Sequence, residues 1–160
     1  MASKPLASGR QPREVVAALL THGGAVGLFR RSACVSGDAG CWHCITGFLP
    51  PGGDALVQAL AEIDEEAGIA STQLQLRQRR VLALAGKDGS TWLVHAFHFE
   101  SATDTVMLNW EHDACCWLAP GEFAGLVTVS WLAQVCAAVL PAAHARHVVN
   151  EMTTTTTETT

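Results

Sequence analysis

Mainly apolar runs at 14–21 and 25–30 stand on either side of a His22-Gly23-Gly24 turn, and this pattern predicts a β-hairpin. After a glycine-bearing loop at 36–40, residues 42–48 have the composition of a short strand. Pro50-Pro51-Gly52-Gly53 breaks the chain. Asp54 then stands where an N-cap belongs, for a helix running to Ala67 with Gly68 just past its end. Residues 74–85 and 91–100 read as strands around the turn Lys87-Asp88-Gly89-Ser90, residues 114–118 as one more, and residues 129–140 as a closing helix. Wound at about 100° per residue, the segment 54–67 places Leu56, Leu60, Ile63 and Ala67 on one apolar face. Glu62, Glu65 and Glu66 gather on the opposite face, and Asp64 points well away from them. Strands interleaved with two substantial helices predict one α/β domain over residues 14–148. A polar leader, 1–13, precedes it, and a low-complexity tail, 149–160, follows.

Composition narrows the possibilities. A 160-residue chain that is 49% hydrophobic and 16% charged is not a disordered segment, and it has room for one buried core. A net charge of −5, with Lys4 and Lys87 as its lysines, argues against a nucleic-acid polymer as partner. The longest nearly apolar stretch, 131–143, is interrupted by Gln134 and Pro141 and falls short of the roughly 20 residues of a membrane span. The N-terminal residues have no apolar export core, so a cytoplasmic location and reduced cysteines are expected. Cys41 and Cys44 have the spacing of a zinc half-site, but no second CxxC or CxxH follows them, so buried and inert thiols are the expectation. His95 and His98 lie three apart in a strand and face opposite sides, which rules out one shared metal site.

The charge itself is local. Glu62, Asp64, Glu65 and Glu66 supply four of the fifteen acids, and no Lys or Arg of the same helix offsets them. Like charges at i, i+3 and i+4 each cost an isolated helix roughly 0.2–0.5 kcal/mol. Two readings follow from the pattern: a solvated acidic face, or carboxylates held ready for a hard divalent cation.

Residues 47–69, GFLPPGGDALVQALAEIDEEAGI, resemble the Nudix (MutT-type) box G-x5-E-x7-R-E-U-x-E-E-x-G-U, where U is a bulky aliphatic residue. Gly47, Glu62, Ile63, Glu65, Glu66, Gly68 and Ile69 fall in register with it. Trp42-His-Cys-Ile-Thr-Gly47 is similar to the strand that enters the family's loop and helix, and Leu28-Phe29-Arg30-Arg31 to its second strand. Trp110-Glu111-His112-Asp113-Ala114-Cys115-Cys116-Trp117 is similar to the "EH…W" segment of the dihydroneopterin triphosphate/dATP pyrophosphohydrolase branch. Two positions depart from the box: Gly53 stands for its first glutamate and Ala61 for its arginine. In the family that pair holds a metal-binding glutamate in place, so its joint loss weakens the orientation of the ligands.

The resemblance implies an α/β/α sandwich with a mixed sheet. It implies Mg²⁺ or Mn²⁺ as cofactor, bound by Glu62, Glu65, Glu66 and the Gly47 carbonyl, with Glu111 as a remote ligand or general base; Glu62, Glu65 and Glu111 are the catalytic candidates. Arg30 and Arg31 become candidate phosphate contacts and Trp42 a candidate base-stacking residue; exposed strand-end charges and a core tryptophan are the plainer alternatives. The implied activity is hydrolysis of a phosphoanhydride bond in a nucleoside or pterin polyphosphate or diphosphate-linked compound. The alternative, motivated by Gly53 and Ala61, is a domain that binds a nucleotide or partner without hydrolysis. The oligomeric state stays open, a homodimer included.

Overall fold

The computed structural model describes residues 11–155, with side chains through 152; most of the expected leader lies outside the described residues. The central strand is β1 (Arg13–His22), buried along nearly its whole length. Its apolar run is continuous, as in a strand covered on both faces. Val15, Ala17 and Leu19 pack on one side against Leu132, Val135 and Cys136 of α2 (Leu132–Val139) and Ala145, Val148 and Met152 of α3 (Ala142–Thr155). Val16, Ala18 and Leu20 pack on the other against Ala59, Ile63 and Ala67 of α1 (Ala55–Ala67). The fold is therefore the expected α/β/α sandwich.

The predicted hairpin forms, but β2 (Ala25–Arg31) pairs with β1 only near the turn, from Leu20–Gly27 to His22–Ala25. Beyond it, β4 (Ile45–Phe48) takes the same edge of β1, from Ala18–Ile45 to Val15–Phe48. β2 diverges and pairs instead with β3 (Trp42–His43) and β7 (His112–Leu118). The expected strand 42–48 is thus divided at Cys44, because its two halves serve different partners. On the other edge of β1 runs β6 (Thr91–Ser101), in parallel, and β5 (Leu74–Ala85) pairs antiparallel with β6 to form the border of the sheet. A short 3₁₀ turn (Ser71–Gln73) leads into β5.

The closing helix differs from the expectation. It is shorter, α2 beginning at Leu132 and stopping at Leu140, which is extended ahead of Pro141. A further helix that the pattern did not predict, α3, follows and continues into the stretch expected as tail. Ala145, Val148 and Met152 are buried at helical spacing there. The cysteines also differ: Cys44 and Cys136 are buried, but Cys34 is exposed and Cys41, Cys115 and Cys116 are partly exposed. His95 and His98 do lie on opposite faces of β6; His98 is buried against Thr21 Oγ1 at 2.7 Å. No helix of the described residues is long and apolar enough to cross a membrane.

The caps of α1 match the sequence reading. Asp54 Oδ1 accepts from the Val57 N–H at 3.0 Å, and Gly68, at φ 67°, donates its N–H to the Asp64 carbonyl. Asp54→Ala is expected to lower folding stability by about 1 kcal/mol, read as a lower urea midpoint at unchanged slope.

Candidate functional site

Where β2 parts from β1, a cleft of about 930 Å³ opens, bordered by the loop after β2, the β5–β6 turn, and the segments that lead into β7 and α2. Gly47, Glu62, Glu66 and Glu111 line it, with Arg31 and Lys87 among its basic residues.

α1 delivers its glutamates with a phase the apolar pattern did not show. The buried positions of the helix are Ala55, Ala59, Ile63, Glu66 and Ala67, while Leu56 and Leu60 are only half-buried. The helix is turned so that Glu66 faces inward, 2% exposed, and not outward on a solvated face. Small side chains at 55 and 59 allow the sheet to approach this side. Glu62 sits at the edge of the buried face, and Glu65 is exposed and does not line the cleft.

Glu62 lies directly on the backbone of β4. A Cβ on Gly47 would overlap its Oε1 and Cδ and come within 2.6 Å of its Cγ, so only glycine leaves room for the carboxylate. From one turn earlier in α1, Gln58 Nε2 donates to Glu62 Oε1 at 2.8 Å. Burial raises the pKa of Glu62, the Gln58 hydrogen bond opposes that shift, and the charges of Glu65 and Glu111 add to it.

Glu111 arrives from a distant part of the chain. The Ser32 N–H donates to the Glu111 carbonyl at 2.8 Å, and Ser32 Oγ donates to the Trp110 carbonyl at 2.7 Å, which pins the segment before β7 to the end of β2. Asn109 Oδ1 accepts from the Glu111 N–H at 3.0 Å. The Glu111 carboxyl thereby comes within hydrogen-bonding reach of Glu66. Burial, followed by the nearness of Glu111 and the charges of Glu62 and Glu65, pushes Glu66 up to about 10. Its Oε2 is buried with no hydrogen-bond partner.

The four carboxylates are not gathered around one point: no trio of His, Cys, Asp or Glu among the described residues is set to hold an ion. The chemistry of the donor set nevertheless fits a hard cation. Two facing carboxyls, one with an orphaned buried oxygen, are a costly arrangement that a divalent ion would relieve.

Neighbouring arginines separate by strand alternation. Arg31 lines the cleft and donates from Nε to the Gly37 carbonyl at 3.1 Å, holding the loop after β2. Arg30 points away from the cleft: its Nε meets Asp113 Oδ1 at 2.6 Å, and its guanidinium lies 5.7 Å from the centre of the Trp42 ring. Neither Arg30 nor Trp42 is among the residues lining the cleft, and Trp42 packs against the core under α2 and α3.

The aromatic walls come from elsewhere. Phe48, 71% exposed, and Trp92 approach each other with ring centres 6.3 Å apart, and Trp110, 63% exposed, lines the same cleft. Trp131 lines it too, with its ring edge-on to His43 at 4.5 Å. His43 is buried and its pKa is lowered to about 3 by burial, Arg31 and His112, so it is neutral across the physiological range. Phe48 and Trp110 could have been found as sequence neighbours of Gly47 and Glu111; nothing local distinguishes Trp131 or His43.

A NUDIX domain family model matches residues 10–136. No match is found among curated proteins. Among solved structures the chain is similar to a C. elegans Ap4A hydrolase in a binary complex, with TM-score 0.63 and 18% identity over 89% of this chain and 98% of that one. It is similar to a Burkholderia pseudomallei MutT NUDIX hydrolase, with TM-score 0.63 and 19% identity over 79% of this chain and 96% of that one. It is also similar to the NUDIX domain of Shewanella oneidensis NrtR in complex with ADP ribose, with TM-score 0.64 and 14% identity over 90% and 92% of the two chains. At these identities the structural likeness speaks for the fold, and the family rests on the model match. Because that match runs through the sheet and α1 and into α2, the chain belongs to the NUDIX domain family.

Proposed function

We propose that this chain is a divalent-metal-dependent hydrolase of a phosphoanhydride bond in a nucleoside or pterin polyphosphate or diphosphate-linked compound. The observation that carries this reading is the buried Glu66 carboxyl, with an orphaned oxygen, facing Glu111 at the foot of an aromatic-walled cleft. Glu62, Glu66, Glu111 and the Gly47 carbonyl would hold Mg²⁺ or Mn²⁺ from the lining of the cleft, and Glu65, exposed beside Glu62 and Glu66, would join them by turning its side chain inward. The bound ion would shield phosphate charge and lower the pKa of the attacking water.

The chain's own residues do the rest. Arg31 offers a guanidinium to the phosphate oxygens from the wall of the cleft. Glu111, on a segment braced by Ser32, is the candidate to accept a proton from water. Phe48, Trp92 and Trp110 offer flat faces to a heterocycle. Two structurally similar proteins are an Ap4A hydrolase and a domain complexed with ADP ribose. The segment around Glu111 and Trp117 favours the dihydroneopterin triphosphate/dATP branch as the finer assignment.

A second reading, binding without hydrolysis, is favoured by Gly53 and Ala61 in place of the box glutamate and arginine. One experiment separates the two: phosphate release, with added pyrophosphatase, over a panel of nucleotide and pterin phosphates in Mg²⁺ or Mn²⁺. Turnover is expected to fall at least about 100-fold in Glu62→Gln, as when several kcal/mol of charge stabilisation are lost. Turnover no higher than that of the variant overturns hydrolysis. A nucleotide-dependent rise in melting temperature without product would then establish binding alone.

A further inference from the structure

The box pattern assigns the restraint of a metal-binding glutamate to residues 53 and 61, and both side chains are missing in this protein. Position 53 has also closed around its glycine. The Gly53 N–H donates to the Pro50 carbonyl at 2.9 Å, and a Cβ there would lie 3.0 Å from that oxygen and 3.1 Å from Leu49 Cδ1. Ala61 is exposed, on the solvent side of α1.

Glu62 is held all the same. Its carboxylate is caught between the bare backbone of Gly47 and the Gln58 amide, which donates from Nε2 to Oε1 at 2.8 Å. Gln58 and Glu62 are one helical turn apart, so α1 fixes both ends of this hydrogen bond. The amide is uncharged, so it restrains the carboxylate without neutralising it, and it needs no buried counter-ion.

We propose that Gln58 is the positioning residue for Glu62, doing from one helical turn away in α1 what the glutamate–arginine pair of the box does from positions 53 and 61. The proposal rests on the reading of Glu62 as a metal ligand. Without the donor, the Glu62 side chain regains rotamer freedom that binding an ion must then remove.

The test is Mn²⁺ binding to the full chain by titration calorimetry, with no nucleotide present. Gln58→Leu and Gln58→Ala, which lack the donor, are expected to bind Mn²⁺ at least about tenfold more weakly than the parent, the usual scale for losing an outer partner of a ligand. Metal-free melting temperatures are expected to stay within about 2 °C, as for a surface substitution. Val57→Ala, at an exposed neighbouring position, is expected to bind like the parent. In turnover, the Mn²⁺ concentration for half-activation should rise by the same factor, while kcat at saturating Mn²⁺ stays within about threefold.

Parent-like binding by both donor-free variants overturns the role of Gln58 and leaves the metal site standing. An equal loss in Val57→Ala overturns it too, by showing a general effect on the helix. A parent protein that binds no Mn²⁺ at millimolar concentration overturns the metal reading, and this proposal with it.

Discussion

Glu66→Gln is expected to raise the melting temperature of the metal-free protein and, at the same time, to remove its stabilisation by Mg²⁺ or Mn²⁺. The ordinary carboxyl value is 4.5, and burial, reinforced by Glu111 and the charges of Glu62 and Glu65, pushes Glu66 up to about 10 in the folded chain. Between those values the folded protein holds a proton that the unfolded chain has released. Stability therefore falls as pH rises through this window, and the full penalty is reached above the folded pKa. Glutamine keeps the volume and cannot ionise, so the variant escapes this slope. Near neutral pH the penalty is the cost of keeping a proton that the unfolded chain has released, so a gain of about 1–3 kcal/mol follows, or roughly 3–10 °C for a domain of this size.

Calorimetric melting in EDTA between pH 6 and 9 checks the expectation, with the difference between the two proteins widening toward pH 9. With metal present the order reverses. An ion at about 1,000 times its Kd stabilises the parent by about 4.1 kcal/mol, more than the variant gains, and the variant is expected to lose most of that. A variant that melts below the parent throughout the window in EDTA would show that Glu66 is a structural anchor.

Gly47→Ala is expected to abolish most turnover while leaving the fold nearly untouched. The added methyl would occupy the space of the Glu62 carboxylate, which is the far end of a flexible side chain and can swing away. Displacing it costs little stability, so the melting temperature should stay within about 2 °C, whereas a misplacement of about 1 Å at a reacting centre can cost about 100-fold in rate. Combining Gly47→Ala with Glu62→Gln should lower kcat/KM no further than Glu62→Gln alone, since both act through one side chain. Fully additive losses would mean that Gly47 acts through another part of the cleft. A melting temperature lowered by many degrees would mean that β4, and not Glu62, yields to the methyl.

Much of this site was legible in the chain. Helix α1 was readable with its Asp54 and Gly68 caps, as were the β1–β2 and β5–β6 hairpins and the glutamate spacing within α1. Each depends on contacts a few residues apart, so period and turn chemistry suffice. The inward placement of Glu66 was not legible. Helical period fixes the angles between side chains but not which angle meets the sheet, and here Ala55 and Ala59 take the seat that the apolar pattern gives to Leu56 and Leu60. The separation of Arg30 from Arg31 was hidden for a similar reason: alternation says that two neighbours diverge, but the position of the cleft decides which one enters it.

The sequence by itself determined the family box, the local acidity of α1 and the ends of its principal helix, because these are properties of neighbouring residues. Tertiary structure alone decided that Glu111 would meet Glu66 and that Arg30 and Trp42 would lie outside the cleft. It also decided that 42–48 would divide between two partners. Each of these depends on which strands pair across long stretches of chain, β2 with β7 above all. Such pairings are set by the mutual burial of two faces and not by the residues on either side of any one position.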